Sequence, residues 1–294
     1  MNVVRAEEMG MCFGVRDALK LADAVRIPGD VTIHGELVHN GAVLSRLSAR
    51  GFGMSGEAER ERTPETPVVL ITAHGVSDRE RARLATAGKT LIDSTCPLVV
   101  RAHEAAQKLR LDGDFVIVVG RHGHVEVRGI VEDLEPGGYA VVESPEEVTS
   151  YPSARLGIVC QTTTSPALAL SVRDAVANAN PAAVLRFVDT VCLPTKERQR
   201  SLERLTGRVD AVVVVGGRNS NNTKELVALC RSRGTPAWHV ESVAELNPDW
   251  FQGFQTIGLT AGTSTLDETI DAVHQALLEI PGAVEALSHQ GQGS

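Results

Sequence analysis

The chain has 294 residues, 43% of them apolar and only 3% aromatic, so any core must be built from Val, Leu, Ile and Ala. A net charge of −8 argues against a nucleic-acid partner held by phosphate contacts. No apolar run approaches the ~18–20 residues of a membrane helix, the N-terminus lacks a signal-peptide core, and five cysteines, an odd number, fit disulfides poorly; a cytoplasmic protein is expected.

In chain order, the first strand is Asn2-Val-Val-Arg, which has no preceding helix of its own. Cys12 opens a helical stretch over Val15–Ala24, followed by Val31-Thr-Ile-His-Gly35 and, four residues on, His39. The charged stretch Gly56–Pro67 reads as an exposed loop. Val68-Val-Leu-Ile-Thr-Ala-His74 is a second strand running into polar residues, and a helix is expected over Asp78–Ala87. Asp93-Ser-Thr-Cys-Pro-Leu then leads through a helix at Val99–Leu109 into Phe115-Val-Ile-Val-Val-Gly120 and, four residues later, His124. Leu156-Gly-Ile-Val-Cys-Gln-Thr162 and a helix at Leu168–Ala177 follow. Asp189-Thr-Val-Cys-Leu-Pro repeats the pattern through Lys196–Leu205 into Ala211-Val-Val-Val-Val-Gly216 and Ser220. After helix Thr223–Ser232 come Thr256-Ile-Gly-Leu-Thr-Ala-Gly-Thr-Ser264 and helix Leu266–Leu278.

This is a threefold repeat. Cys12, Cys96 and Cys192 lie 84 and 96 residues apart, and Gly120 and Gly216 each fall 24 residues after their cysteine. Short β-branched runs between helices read as buried parallel strands of an α/β fold. The third unit lacks a final strand, so Asn2–Arg5 is expected to complete it and close a ring. The domain expectation is therefore 13–96, 97–191, and 192–282 with 1–12, leaving 283–294 as a tail. In parallel sheets ligands sit beyond the carboxyl ends of strands, where His39, His74, His124, Thr162, Ser220 and Ser264 fall.

One thiolate per repeat suggests a metal centre. Structural zinc usually takes Cys-x2-Cys pairs, and neither these nor the clustered cysteines of small ferredoxins occur here. Three widely spaced thiolates suit a cubane iron–sulfur cluster with one iron left open as a Lewis acid. A lone cysteine is more often a small buried hydrophobe, and Cys160 and Cys230 are read that way. Three histidines with Ser, Thr and Asn at strand ends suit a diphosphate, helped by backbone donors at helix starts. Arg218-Asn-Ser-Asn-Asn-Thr223 also caps a helix. Glu126, two residues beyond His124 in a strand-end loop, is the candidate proton relay, with Thr162, Thr163 and Thr164 as hydrogen-bond partners; an acid at a helix start stabilised by the dipole is the plainer reading. No nucleotide fingerprint is present.

Met11-Cys-Phe-Gly-Val, Val38-His-Asn, Ala73-His-Gly-Val, Asp93-Ser-Thr-Cys-Pro-Leu, Gly123-His-Val-Glu-Val, Gln161-Thr-Thr, Asn219-Ser-Asn-Asn and Thr260-Ala-Gly-Thr-Ser resemble the motifs of the hydroxymethylbutenyl diphosphate reductases. The resemblance runs from Val3 to about Leu278. It implies a trefoil of three α/β domains around a [4Fe–4S] cluster on Cys12, Cys96 and Cys192, and the last step of the methylerythritol phosphate route to isoprenoids. It implies diphosphate binding by His39, His74, His124, Ser220, Asn222 and Ser264, with Asn221 beside them. It further implies proton delivery by Glu126 with Thr162 as its partner, and electrons from a ferredoxin or flavodoxin. Val125, Asn221, Leu266 and Cys160 depart from the family pattern, which leaves open a specialised paralogue acting on a related allylic diphosphate. An iron–sulfur dehydratase is the other alternative, but it would want arginines at the strand ends.

Overall fold

The computed structural model describes residues 1–280 and 284–285. It divides into two compact units, Phe13–Cys192 and Met1–Cys12 with Leu193 onward. The chain starts with β1 (Asn2–Arg5), which belongs to the second of these.

The Phe13–Cys192 unit opens with α1 (Phe13–Asp23) and then builds a sheet from β2 (Val31–His34), β3 (Gly53–Ser55), β4 (Val68–Ile71) and β5 (Thr90–Asp93), with α2 (Gly41–Ala49) and α3 (Asp78–Thr86) between them. After α4 (Pro97–Leu111) a second sheet follows: β6 (Phe115–Val119), β7 (Tyr139–Val142), β8 (Arg155–Cys160) and β9 (Val184–Phe187), interleaved with α5 (Val125–Val131) and α6 (Pro166–Ala179). The other unit contains α7 (Leu193–Thr206), β10 (Ala211–Val215), α8 (Asn221–Ser232), β11 (Ala237–Val240), β12 (Thr256–Ala261), α9 (Asp267–Leu278) and β13 (Val284–Glu285).

Every strand pairing among the described residues is parallel, and the sheet orders are β3-β2-β4-β5, β7-β6-β8-β9 and β11-β10-β12-β1-β13. The same order thus occurs three times, and β1, paired with β12 from Asn2↔Thr256 to Arg5↔Leu259, takes the place that β5 and β9 hold in the other sheets. The expected α/β architecture of three similar parallel sheets is borne out. Val284–Glu285, expected in the tail, add a strand beside β1; the rest of that tail lies outside the described residues.

The central strands are continuous apolar runs because both faces are covered. Ile117, Val119, Leu156 and Ile158 pack against Ala169, Val172 and Val176 of α6, while Val116, Val118 and Val159 turn towards Ala102, Ala106 and Leu109 of α4 and Ile130 of α5. Likewise Val213, Val215 and Leu259 meet Ile270, Val273 and Leu277 of α9, and Val212 and Val214 meet Leu202, Leu205 and Leu226. Full burial of each such side chain stabilises by roughly 1.5–3 kcal/mol relative to exposure.

Two expectations change. Gly56–Pro67 is not simply an exposed loop: Arg60 is only 4% exposed. Its Nε lies 2.7 Å from Glu57 Oε2, and its Nη2 donates to Thr72 Oγ1 at 3.3 Å. Glu126 lies not in a loop but in the first turn of α5, a helix of seven residues whose Gly-rich approach hides its start.

Candidate functional site

Each repeat-related cysteine stands where a helix begins. Cys12 directly precedes α1, Cys96 is the N-cap of α4, and Cys192 directly precedes α7. Each is tied by its backbone to the loop after the third strand, in chain order, of the preceding repeat's sheet: Cys96 N–H donates to Ala73 O (3.0 Å), Cys192 N–H to Thr162 O (2.9 Å) and Cys12 N–H to Thr263 O (3.0 Å). The three are half-buried, whereas Cys160 and Cys230 are buried, and burial pushes the Cys230 thiol up to about 12. A Cβ at Gly14 would stand 2.6 Å from Cys96 Sγ, so only glycine leaves that sulfur room.

Within the Phe13–Cys192 unit three histidines meet. His39 and His74 stack with ring centroids 4.2 Å apart. His124 stands edge-on to both, at 5.3 and 5.7 Å. His39 precedes Asn40, the N-cap of α2, whose side chain accepts from Val43 N–H. His124 is itself the N-cap of α5, so the first repeat is displaced by one residue. His39 Nδ1 is 2.7 Å from Glu36 Oε2. His124 Nδ1 accepts from Glu126 N–H at 3.1 Å, which leaves Nε2 as the protonated nitrogen of a neutral ring. Burial first, then His39, His124 and Arg60, hold His74 well below the ordinary histidine range, so it is neutral at pH 7. Among the described residues no three His, Cys, Asp or Glu side chains are arranged to hold a single metal ion; the histidines form a ring-packed donor surface.

Glu126 is 1% exposed. Its Oε1 accepts Thr162 N–H at 2.6 Å and its Oε2 accepts Thr162 Oγ1–H at 3.0 Å. Burial nevertheless pushes its carboxyl up to about 7, against the opposing effect of both bonds. The Thr162 peptide therefore joins the acid to Cys192, one end bonded to each.

The other unit gathers Cys12, Ser220, Asn222 and Ser264. Ser220 caps α8 by accepting from Thr223 N–H at 3.3 Å. Asn222 Oδ1 accepts Thr263 N–H at 3.0 Å, and Thr263 O holds Cys12 N–H. Ser220, Asn221, Asn222 and Ser264 are all buried.

Three contributors escaped sequence reading. Glu36 orients His39. Thr195 Oγ1 accepts from Asn222 Nδ2 at 3.4 Å. Arg198, 5% exposed, donates from Nε and Nη2 to Gly10 O at 3.0 and 2.6 Å, fixing the approach to Cys12. A lone arginine in an amphipathic helix carries no signal of burial, and Thr195 stands where the other repeats have Val15 and Val99, so the repeat did not single it out.

A parallel-sheet α/β protein with a half-buried thiol at a helix start in each repeat, a histidine surface and a buried acid pushed up to about 7 belongs to the redox or Lewis-acid enzymes rather than to nucleotide or nucleic-acid binders. More particularly, the chain belongs to the LytB protein family, whose model matches residues 3–278. It is 36% identical over 277 residues to the 4-hydroxy-3-methylbut-2-enyl diphosphate reductase of Anaeromyxobacter sp. (strain Fw109-5), covering 93% of this chain and 95% of that one. It is 34% identical to the enzyme of the same name from Aquifex aeolicus (strain VF5), covering 95% and 97%. The structure of the E-1-hydroxy-2-methyl-but-2-enyl-4-diphosphate reductase of Plasmodium falciparum shares the fold, with a TM-score of 0.86 at 24% identity, covering 98% of this chain and 92% of that one. A solved (E)-4-hydroxy-3-methyl-but-2-enyl diphosphate reductase, titled the terminal enzyme of the non-mevalonate pathway, matches with a TM-score of 0.64 at 33% identity, covering 95% and 100%.

Proposed function

We propose that this chain removes the hydroxyl of 4-hydroxy-3-methylbut-2-enyl diphosphate reductively, giving isopentenyl and dimethylallyl diphosphate with water. The observation that carries this reading is the buried Glu126 carboxyl, pinned by Thr162 and pushed up to about 7, in the same unit as the histidine surface.

The donor set suits an iron–sulfur cluster: three half-buried thiols at helix starts, where negative charge is favoured, and the space that Gly14 leaves at the Cys96 sulfur. Cys12, Cys96 and Cys192 would hold a [4Fe–4S] cluster, and when bound it would pass on two electrons, one at a time, from an external donor and supply an open Lewis-acid position. The rest falls to the protein's own groups. His39, His74 and His124 bind the diphosphate with ring N–H donors. Ser220, Asn221, Asn222 and Ser264 add short polar contacts whose backbones are fixed by helix capping. Glu126, whose carboxyl burial pushes up to about 7, gives its proton from Oε2 to Thr162 Oγ1, while the Thr162 hydroxyl, turned from Glu126 towards the substrate, passes its own hydrogen to the departing hydroxyl. The second proton reaches the allylic product at either end.

The departures at Val125, Asn221, Leu266 and Cys160 are buried, and none displaces a thiol, a histidine or Glu126. A low-potential ferredoxin or flavodoxin is the proposed donor, and the cytoplasm the proposed place; no helix among the described residues is long and apolar enough to cross a membrane. The test is to purify the protein anaerobically, supply dithionite with a viologen mediator and the allylic diphosphate, and identify products by mass. Both five-carbon diphosphates are expected from brown protein. Brown protein that leaves the substrate untouched would refute the reading.

A further inference from the structure

The edge strands β3, β7 and β11 do not carry any of the residues assigned so far, yet each ends in the same device. Just beyond β3, Glu57 Oε1 accepts the backbone N–H of Glu36 at 2.9 Å. Just beyond β7, Glu143 Oε1 accepts the backbone N–H of His122. Just beyond β11, Glu241 Oε1 accepts the backbone N–H of Arg218 at 2.7 Å. Each N–H belongs to the loop that carries that repeat's binding side chain: His39, His124 and Ser220. We propose that Glu57, Glu143 and Glu241 are positioning residues that brace the three diphosphate-binding loops, each by holding one loop peptide in a fixed orientation. The inference rests on the functional reading above in assigning these loops to a diphosphate.

The device is built out in the same way each time. A second carboxylate accepts the N–H at or beside the brace: Glu59 from Gly56 (3.2 Å), Glu147 from Glu143 (2.9 Å) and Glu245 from Glu241 (3.1 Å). A cationic or ionisable side chain then sits on one of the two acids. Arg60 Nε is 2.7 Å from Glu57 Oε2, His122 Nε2 is 3.0 Å from Glu147 Oε2, and Arg218 Nη2 is 2.7 Å from Glu245 Oε2. This partner side chain comes from the edge segment in the first repeat and from the braced loop in the other two. The side chains thus differ while the backbone contact stays the same, so what recurs is the held peptide. A carboxylate beside an anion subsite would repel its ligand if charge were its purpose. Here one oxygen takes a peptide N–H and the acids are offset by an arginine in the first and third repeats, while the same peptide is held beside a histidine in the second, which leaves orientation as the contribution. A braced peptide cannot flip, and the binding side chain two or three residues on keeps its direction before the ligand arrives.

The test uses full-length, cluster-loaded protein with Glu143→Ala, Glu241→Ala and the matching Gln variants. KM and kcat are measured with the allylic diphosphate, Kd with inorganic pyrophosphate by calorimetry, and the iron–sulfur absorbance and melting temperature alongside. The Ala variants are expected to raise KM and the pyrophosphate Kd by roughly 5–20-fold, at or below the ~10–150-fold of one directly lost charge-assisted bond because the brace acts on the ligand only through its loop, with kcat within about twofold. The Gln variants, whose amide oxygen accepts the same N–H, should return to within about threefold of the parent. Unchanged affinity in the Ala variants overturns the proposal, as does a fall in kcat at intact affinity. Gln variants as weak as Ala also overturn it, because charge rather than a held peptide would then be at work. If the Ala chains do not fold, the Gln pair decides by keeping or losing affinity. A parent that binds pyrophosphate without reducing the allylic diphosphate sinks the functional reading and leaves the brace to be judged on pyrophosphate Kd. A parent that binds neither overturns both.

Discussion

Replacing Glu126 with Gln should make the protein more stable and less active, and the two effects should share one pH window. The folded protein holds the Glu126 proton up to about pH 7, whereas an ordinary glutamate releases it near 4.5. Between those values the folded state binds more protons than the unfolded state, so folding stability falls as the pH rises through the window. At ~1.4 kcal/mol per pH unit the loss is roughly 3 kcal/mol, complete by about pH 8. Gln carries no charge to desolvate. Its amide oxygen still accepts Thr162 N–H, and its NH2 can donate to a reversed Thr162 hydroxyl, so the local bonds survive. The variant should therefore match the parent near pH 4.5 and exceed it at pH 8 by roughly 3 kcal/mol, which for a unit of this size is roughly 6–12 °C in melting temperature. Turnover with saturating reductant should fall by roughly 10²–10⁴-fold, and the parent's decline in kcat above about pH 7 should vanish. Anaerobic melting curves from pH 5 to 8.5 and initial rates over the same range are the assays. A stability difference that does not grow with pH would refute burial as the cause of the raised carboxyl, and a variant within a few-fold of parental turnover would refute the proton-donor role.

Gly14→Ala should lower iron per chain to less than half, because the new methyl falls on Cys96 Sγ; iron and sulfide analysis after anaerobic reconstitution checks it, and Cys230→Ala is the control expected to load fully. His74→Asn should weaken pyrophosphate binding by roughly 5–100-fold with the cluster spectrum unchanged, read by calorimetry. Asp114→Asn should destabilise the Phe13–Cys192 unit by roughly 1–3 kcal/mol in urea unfolding. Its buried carboxylate accepts from Arg155 Nε at 3.0 Å and Arg186 Nε at 2.5 Å, and both arginines can return to water.

What the sequence displayed of the fold was what burial on two faces imposes. Phe115–Val119 and Ala211–Val215 are covered by helices on both sides, so they read as unbroken apolar runs. The strands Gly53–Ser55, Thr90–Asp93, Tyr139–Val142, Val184–Phe187 and Ala237–Val240 have at most one fully buried residue each. Nothing forces them to be apolar, and sequence reading passed over them. The helix at Val125–Val131 was missed for a different reason. Seven residues give too few turns for a periodic stripe, and Gly123 before it reads as loop.

The site follows the same division. Its polar side chains could be placed because they fall at equivalent points after the apolar runs, and Cys12, Cys96 and Cys192 because one thiol recurs per repeat. What supports them could not be, because a charged residue announces its type and not its partner. Arg60 and Arg198 look like surface arginines in sequence, yet one is buried against Glu57 and Thr72 and the other grips Gly10 O. The glutamates after the edge strands look like ordinary loop acids, yet they hold three loop peptides in the same way. The repeat is therefore kept more faithfully by the backbone contacts than by the side chains. Ser220 stands where the other two repeats have His39 and His124, and His39 is displaced by one position relative to its helix. The tie from each cysteine N–H to a carbonyl after the third strand, at 3.0, 2.9 and 3.0 Å, hardly changes. Different side chains on the same set of peptide contacts let three similar sheets present histidines, an acid and a serine–asparagine cluster.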